Sequence, residues 1–135
     1  MTLWKGRFKG KLDDAAWDVN TSLAFDQRLV KQDILGSMAW ASALMKAKVL
    51  KAVEAVMIIT GLEKIASEFE VGELVFHESD EDIHTAVERW LGEVIGAEAG
   101  KLHTGRSRND QIATDFRMWL MDQLPALDSA IQNLQ

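Results

Sequence analysis

The sequence predicts an all-α chain, and three observations carry that prediction. There is one proline in 135 residues, and proline is the residue that most strongly interrupts helices. Apolar residues recur at three- to five-residue steps through four long stretches, which lays them along one helical face. Hydrophobic residues make up 47% of the chain, enough for one buried core in a domain of this length.

The elements follow in order. Trp4, Gly6, Arg7, Phe8 and Gly10 read as an irregular arm packed on something larger. Residues 13–18 have room for one or two helical turns, and Asn20, Thr21 and Ser22 suit a loop or cap. A helix is expected over residues 26–46, on a stripe of Phe25, Leu29, Ile34, Met38, Ala41 and Met45. Lys46 and Lys48 sit at its end, where the helix dipole favours cations. A second helix is expected over residues 51–69, on Val53, Val56, Met57, Leu62, Ile65 and Phe69, with Gly61 inside it. Gly72 ends that pattern, and the alternation of Leu74 and Phe76 suits a short extended segment.

Ser79 then reads as an N-cap, with Asp80, Glu81 and Asp82 in the first turn of a helix reaching about residue 95 on Ile83, Val87, Leu91 and Val94. Gly96 and Gly100 bracket a loop. The last helix is expected to start near Asn109 or Asp110 and to carry Ile112, Phe116, Trp119, Leu120, Leu127, Ile131 and Leu134. Pro125 inside it predicts a kink. The pattern reaches Leu134 without a following glycine, proline or basic turn. The expectation is a chain cut in mid-helix at Gln135 from a longer protein.

Composition excludes several classes. The net charge of −6, from 15 basic and 21 acidic residues, argues against nucleic acid as a partner, because phosphate binding needs a basic field. No cysteine is present, so disulfide scaffolds and thiolate metal sites are excluded. The basic start lacks the apolar core of a secretory signal, and no apolar run approaches the length of a membrane span. A cytoplasmic location is the expectation.

Chemistry concentrates in His103-Thr104-Gly105-Arg106-Ser107-Arg108-Asn109-Asp110-Gln111. A helix N-terminus offers unpaired N–H groups and a partial positive charge. Two arginines, two hydroxyls and a side-chain amide turn it into a set of donors suited to a carboxylate or phosphate. Guanidinium groups grip carboxylates in a forked geometry that lysine lacks, and Gly105 permits close approach of backbone to a ligand. The plainer reading makes Thr104, Ser107, Asn109 and Asp110 ordinary caps, and pairs Arg106 and Arg108 with the acids at 80–82.

The run at 103–111 resembles the first signature of the argininosuccinate lyase family, within the fumarase/aspartase superfamily. So do Leu3-Trp4-Lys5-Gly6-Arg7-Phe8 (with Lys5 where a glycine is usual), Asn20-Thr21-Ser22-Leu23-Ala24-Phe25-Asp26, Asp80-Glu81-Asp82-Ile83-His84 and Gly100-Lys101-Leu102-His103. The resemblance spans essentially the whole chain. It implies an N-terminal helical domain over residues 1–110 and, over 111–135, the start of a long helix of a central bundle. It implies reversible elimination of argininosuccinate to arginine and fumarate, by a cytoplasmic homotetramer that needs no metal or organic cofactor. Carried over by position, Ser22, Asn109, Arg108 and Asp82 contact the dicarboxylate substrate, with Asp26, Arg106, Ser107, Thr104 and His103 in support. The acid and base of the family belong to later signatures, which the resemblance places beyond Gln135. No catalytic residue is therefore expected here, and the fragment alone is expected to be inactive.

Other candidates have plainer explanations. His84 is expected at the surface or behind a site residue, and His77 has no assigned role. Asp80, Glu81, Asp82 and His84 suggest a metal group, but capping explains the acids more simply; apart from Asp82 they are expected to be mostly solvated. Trp40, Trp90 and Trp119 read as packing residues and the six methionines as core filler. Two further readings of the parent are another superfamily lyase, such as one acting on adenylosuccinate, and a non-catalytic crystallin-type relative. Helix faces left uncovered in the isolated piece predict self-association.

Overall fold

A computed structural model describes residues 13–134. The arm at Leu3–Phe8, including Lys5, lies outside them, and so does Gln135, where the mid-helix cut is expected. The described residues form six α-helices and contain no strand. Helix α1 spans Asp14–Asn20, α2 Leu23–Asp26, α3 Val30–Lys46, α4 Ala52–Glu70, α5 Ile83–Ile95 and α6 Arg108–Gln132. Short 3₁₀ segments join α2 to α3 (Gln27–Leu29) and follow α5 (Gly96–His103). Helix α3 is central: it packs against α4, α5 and α6, and α4 also packs against α5.

The core is built from Leu29, Val30, Ile34, Ala41 and Leu44, from Ala55, Ile58, Leu62 and Ile65 of α4, from Ile83, Ala86, Val87, Trp90 and Leu91 of α5, and from Leu102. Full burial of one such leucine or isoleucine stabilises the fold by about 1.5–3 kcal/mol. Gly61 sets how closely α4 and α5 approach. A Cβ there would stand 2.8 Å from Leu91 Cδ1 and 3.0 Å from Ile95 Cγ2, so the glycine is a packing requirement of that crossing.

Several expectations need correction. The stripe of α4 is rotated in its first half: Val53, Val56 and Met57 are exposed, and Ala55, Ile58 and Gly61 face the core. That helix is apolar on both faces over 53–59, so periodicity alone does not select the buried one. Phe25 is exposed and lies on α2, ahead of the long helix. Residues 73–77 form no strand. Ser79 does not cap α5: Asp82 does, its Oδ1 accepting from Thr85 N at 2.6 Å. As expected, helix α6 does not end at Pro125 but continues to Gln132, although proline donates no hydrogen bond to the carbonyl one turn before it. Asn133 is the C-cap of α6. Trp90 is buried, and Trp40 and Trp119 pack against the core.

Candidate functional site

Two loops far apart in sequence are stitched together at the head of α5. Ser22 N donates to Glu81 O at 2.9 Å and Thr21 Oγ1 to the same carbonyl at 3.2 Å. Asp26 Oδ1 accepts from Ile83 N at 3.1 Å, using one of the orphan amides of the α5 N-terminus. Ser22 Oγ donates to the other oxygen of Asp26 at 2.5 Å. Asp82 Oδ1 accepts both Thr85 N and Thr85 Oγ1. Ser22, Asp26 and Asp82 thereby meet at a cavity of about 440 Å³. Its wall adds Arg28, His84 and an apolar side of Phe25, Ile112, Phe116 and Trp119. Burial pushes the Asp26 carboxyl up, aided by the Asp82 charge, against the bonds from Ser22 and Ile83.

Beneath this cavity lies a buried polar cluster that the sequence reading missed. His84 is 1% exposed, which rules out the surface among the two places expected for it. Its Nδ1 lies 3.0 Å from Asp33 Oδ1 and 3.5 Å from Asp115 Oδ2. Gln111 Nε2 donates a short bond to the same Asp33 oxygen. Asp33, Gln111 and Asp115 are all buried, and a Cβ on Gly36 would lie 3.1 Å from Asp115 Oδ1, so α6 sets its acid directly against α3. Burial opposes charge on Asp33, yet the His84 bond and charge and the Gln111 bond hold its carboxyl below the usual range. For His84, burial is likewise outweighed by Asp33, and its basicity is raised. Asp115 is pushed up to about 7, by burial first and then by the Asp33 charge. A legible signal existed: Asp33 with Ser37, and Gln111 with Asp115, are i,i+4 polar pairs on the packed faces of two amphipathic helices.

The run 103–111 is arranged by local bonds. Ser107 caps α6, its Oγ accepting from Asn109 N at 3.2 Å, while Asp110 Oδ2 accepts from Ser107 N at 3.3 Å. Gly105 takes a left-handed φ of 66°. Thr104 and Asn109 are exposed, and the Thr104 carbonyl accepts from Trp40 Nε1 at 3.3 Å. Glu88 gathers His103, at 3.1 Å, and Arg108, at 3.3 Å. Arg108 Nη1 donates to Gln111 Oε1 at 3.2 Å, and its Nε stands 4.0 Å from Asp82 Oδ2. Arg106 turns inward and donates to Ser37 Oγ at 3.1 Å; burial, against the pull of Asp33, lowers its basicity. Of the expected site residues, Ser22, Asp26 and Asp82 line the cavity, and Arg108 adjoins them through Asp82. Asn109, Ser107, Thr104, Arg106 and His103 do not line it.

The acids at 80–82 divide in role. Asp80 is 3% exposed, which corrects its reading as solvated. Arg89 grips it with Nε at 2.9 Å and Nη2 at 2.8 Å, and also donates to the Val75 carbonyl. Burial raises the Asp80 carboxyl, but the Arg89 bonds and the His77 N–H prevail and hold it low. Glu81 is raised by burial and by Asp82. Among the described residues, Asp33, His84 and Asp115 place one ligand atom each within 4.8 Å of one another, the spacing of a metal group.

A helical chain whose distant loops converge on a cavity at the head of α5, polar on one side and walled by Phe25, Ile112, Phe116 and Trp119 on the other, defines a class: all-α proteins with a pocket enclosed between helices. A family model described as a lyase matches residues 6–135, and the chain belongs to that lyase family. It is 54% identical over 132 residues to the argininosuccinate lyase of Chlamydomonas reinhardtii. It is 51% identical to that of Herpetosiphon aurantiacus and 49% identical to that of Roseiflexus castenholzii, over 133 residues each. Each match covers 98% of this chain but 28–29% of the relative's length. No helix among the described residues is long and apolar enough to cross a membrane.

Proposed function

We propose that the parent of this chain eliminates fumarate reversibly from argininosuccinate, leaving arginine, and that this piece supplies part of the substrate-anion site and is inactive alone. In this reading the acid and base of the reaction belong to chain beyond Gln135. The observation that carries the reading is the state of Arg108. Its Nε and Nη2 are buried without a hydrogen-bond partner, beside the Asp82 loop that Ser22 is tied to. Buried donors without partners are uncommon and call for one, and a carboxylate matches a guanidinium edge in shape and charge. The names carried by relatives about half identical to the chain support the choice of substrate.

Elimination of this kind removes a proton beside a carboxylate, which gathers a second negative charge. Preplaced cations and N–H donors lower the energy of that state. In this reading Arg108, Asn109 and Ser22 bind the dicarboxylate, Asp82 orients it, and Asp26, Arg106, Ser107, Thr104 and His103 hold those groups in place. Ser22 now donates to Asp26, so a ligand must compete for that proton. Residues 1–110 form the N-terminal domain of the reading, and α6 from residue 111 opens a bundle that assembles four copies in the cytoplasm. The exposed Met121, Leu124, Leu127 and Ile131 of α6 support such packing.

The experiment is an assay of the intact parent for fumarate released from argininosuccinate, with adenylosuccinate as the competing substrate. Release from argininosuccinate alone is expected. Turnover of adenylosuccinate, or of neither compound, overturns the reading.

A further inference from the structure

We infer that Asp33 is a positioning residue that fixes His84 as a cationic donor in the floor of the cavity, with Gln111 holding Asp33 in turn. What the cavity binds rests on the lyase reading; the state of His84 does not.

The geometry gives the ring one orientation. A carboxylate at Nδ1 requires the proton there, and a ring committed to Asp33 through Nδ1 leaves Nε2 as its uncommitted nitrogen in a side chain that lines the cavity. Gln111 donates to the same Asp33 oxygen, so the carboxylate is held from two sides. The groups facing His84 come from every packed element: Asp33 on α3, Asp115 on α6, Asp82 at the head of α5 and Asp26 on α2. Arg106, ahead of α6, acts on the same two acids, Asp33 and Asp115.

Charge decides what the cavity admits. Its wall holds two acids, Asp26 and Asp82, against Arg28 and His84. With His84 neutral, the wall is net negative and repels a dicarboxylate; with His84 cationic, the signs balance. A metal ion in the cluster would need lone pairs directed at it. The Gln111 amide donates into Asp33 Oδ1 and the Arg106 charge lies close by, which favours protons there, while Asp33 Oδ2 and Asp115 Oδ2 are buried without a hydrogen-bond partner, so the test includes a chelator.

The test follows the ring ¹⁵N signals of His84 in the intact parent as pH is varied, assigned by their loss in His84→Gln, alongside the elimination rate. Wild-type His84 is expected to keep hydrogen on Nδ1 and to titrate above its ordinary value of about 6.5. In Asp33→Asn the largest opposition to burial is gone and the weaker pull of Asp82 and Asp115 remains, so the midpoint should fall toward about 6.5 or lower. The kcat/KM should then drop on the order of tenfold above the new midpoint and recover as pH is lowered. Asp115→Asn makes the same swap on the other side of the ring, and should leave His84 titrating above its ordinary value and the rate near wild type.

A midpoint at or below the ordinary value in the wild type overturns the inference even if no variant folds. So does an Asp33→Asn defect of equal size at every pH, identical behaviour of the two variants, or wild-type signals that move on treatment with a chelator. If the wild type releases no fumarate, the lyase reading fails while the ¹⁵N titration still decides the role of Asp33.

Discussion

The run at 103–111 and the cluster around His84 are both polar, adjoin one another, and were built by opposite means. The run is contiguous in sequence and half-open: caps, turns and the Glu88 ion pairs arrange most of it, and Thr104, Arg106 and Gln111 add single bonds to α3. The cluster takes Asp33 from α3, His84 from α5 and Gln111 and Asp115 from α6, and every carboxylate and ring in it is buried. Local density of polar residues therefore marks where a helix begins. It does not mark where charge is most strongly controlled, which happens where distant residues are removed together from water.

If that contrast is right, the two regions respond very differently to truncation. Asp33→Ala strips a buried histidine and a buried amide of their shared acceptor, and breaking a buried pair in this way typically costs about 3–5 kcal/mol. Urea denaturation should show a loss of that order. A loss under about 1 kcal/mol would place the cluster among pairs of little consequence.

The next effect is in pH. Asp115 has a folded value of about 7 against an ordinary 3.8, so the fold favours its protonated form. That contribution is full below 3.8 and is lost as pH rises toward about 7. His84, also raised, adds stability that is full below its ordinary value and disappears as pH climbs through its folded one. Asp33, lowered, works in the other direction and loses its contribution only at the acid end. Stability should thus decline as pH increases from mildly acid to neutral. Asp115→Asn, which cannot ionise, should flatten that decline. Denaturation midpoints measured across the range check this, and equal slopes in both proteins would refute it.

The smallest expected effect belongs to the run. Ser107→Ala removes the α6 cap and should cost about 1 kcal/mol. His103→Ala breaks only a part-exposed pair with Glu88 and should change stability by less than that.

How much was readable follows the same division. Helix order and type were legible because apolar periodicity and breaking glycines are local signals. The Ser22, Asp26 and Asp82 convergence was legible only through family resemblance, since nothing in either loop encodes the Ser22–Glu81 backbone bond. Asp33 and Asp115 were passed over because a single acid within an amphipathic helix looks the same whether it faces solvent or a partner. The placement of Asp82 over Ser79 as the cap was decided by the docking of the Ser22 loop, a tertiary effect. The inward face of α4 was ambiguous for a plainer reason, since valines and isoleucines occupy both sides of its first turns.

The central claim is that guanidinium and amide donors at the head of α6 hold the negatively charged substrate. Its most direct test is turnover of argininosuccinate by the intact parent carrying Arg108→Ala together with Asn109→Ala. The account predicts that kcat/KM falls by at least about 100-fold, as for loss of donors to a developing anion, with the fold retained by circular dichroism. A folded double variant that turns over its substrate at the wild-type rate would contradict it.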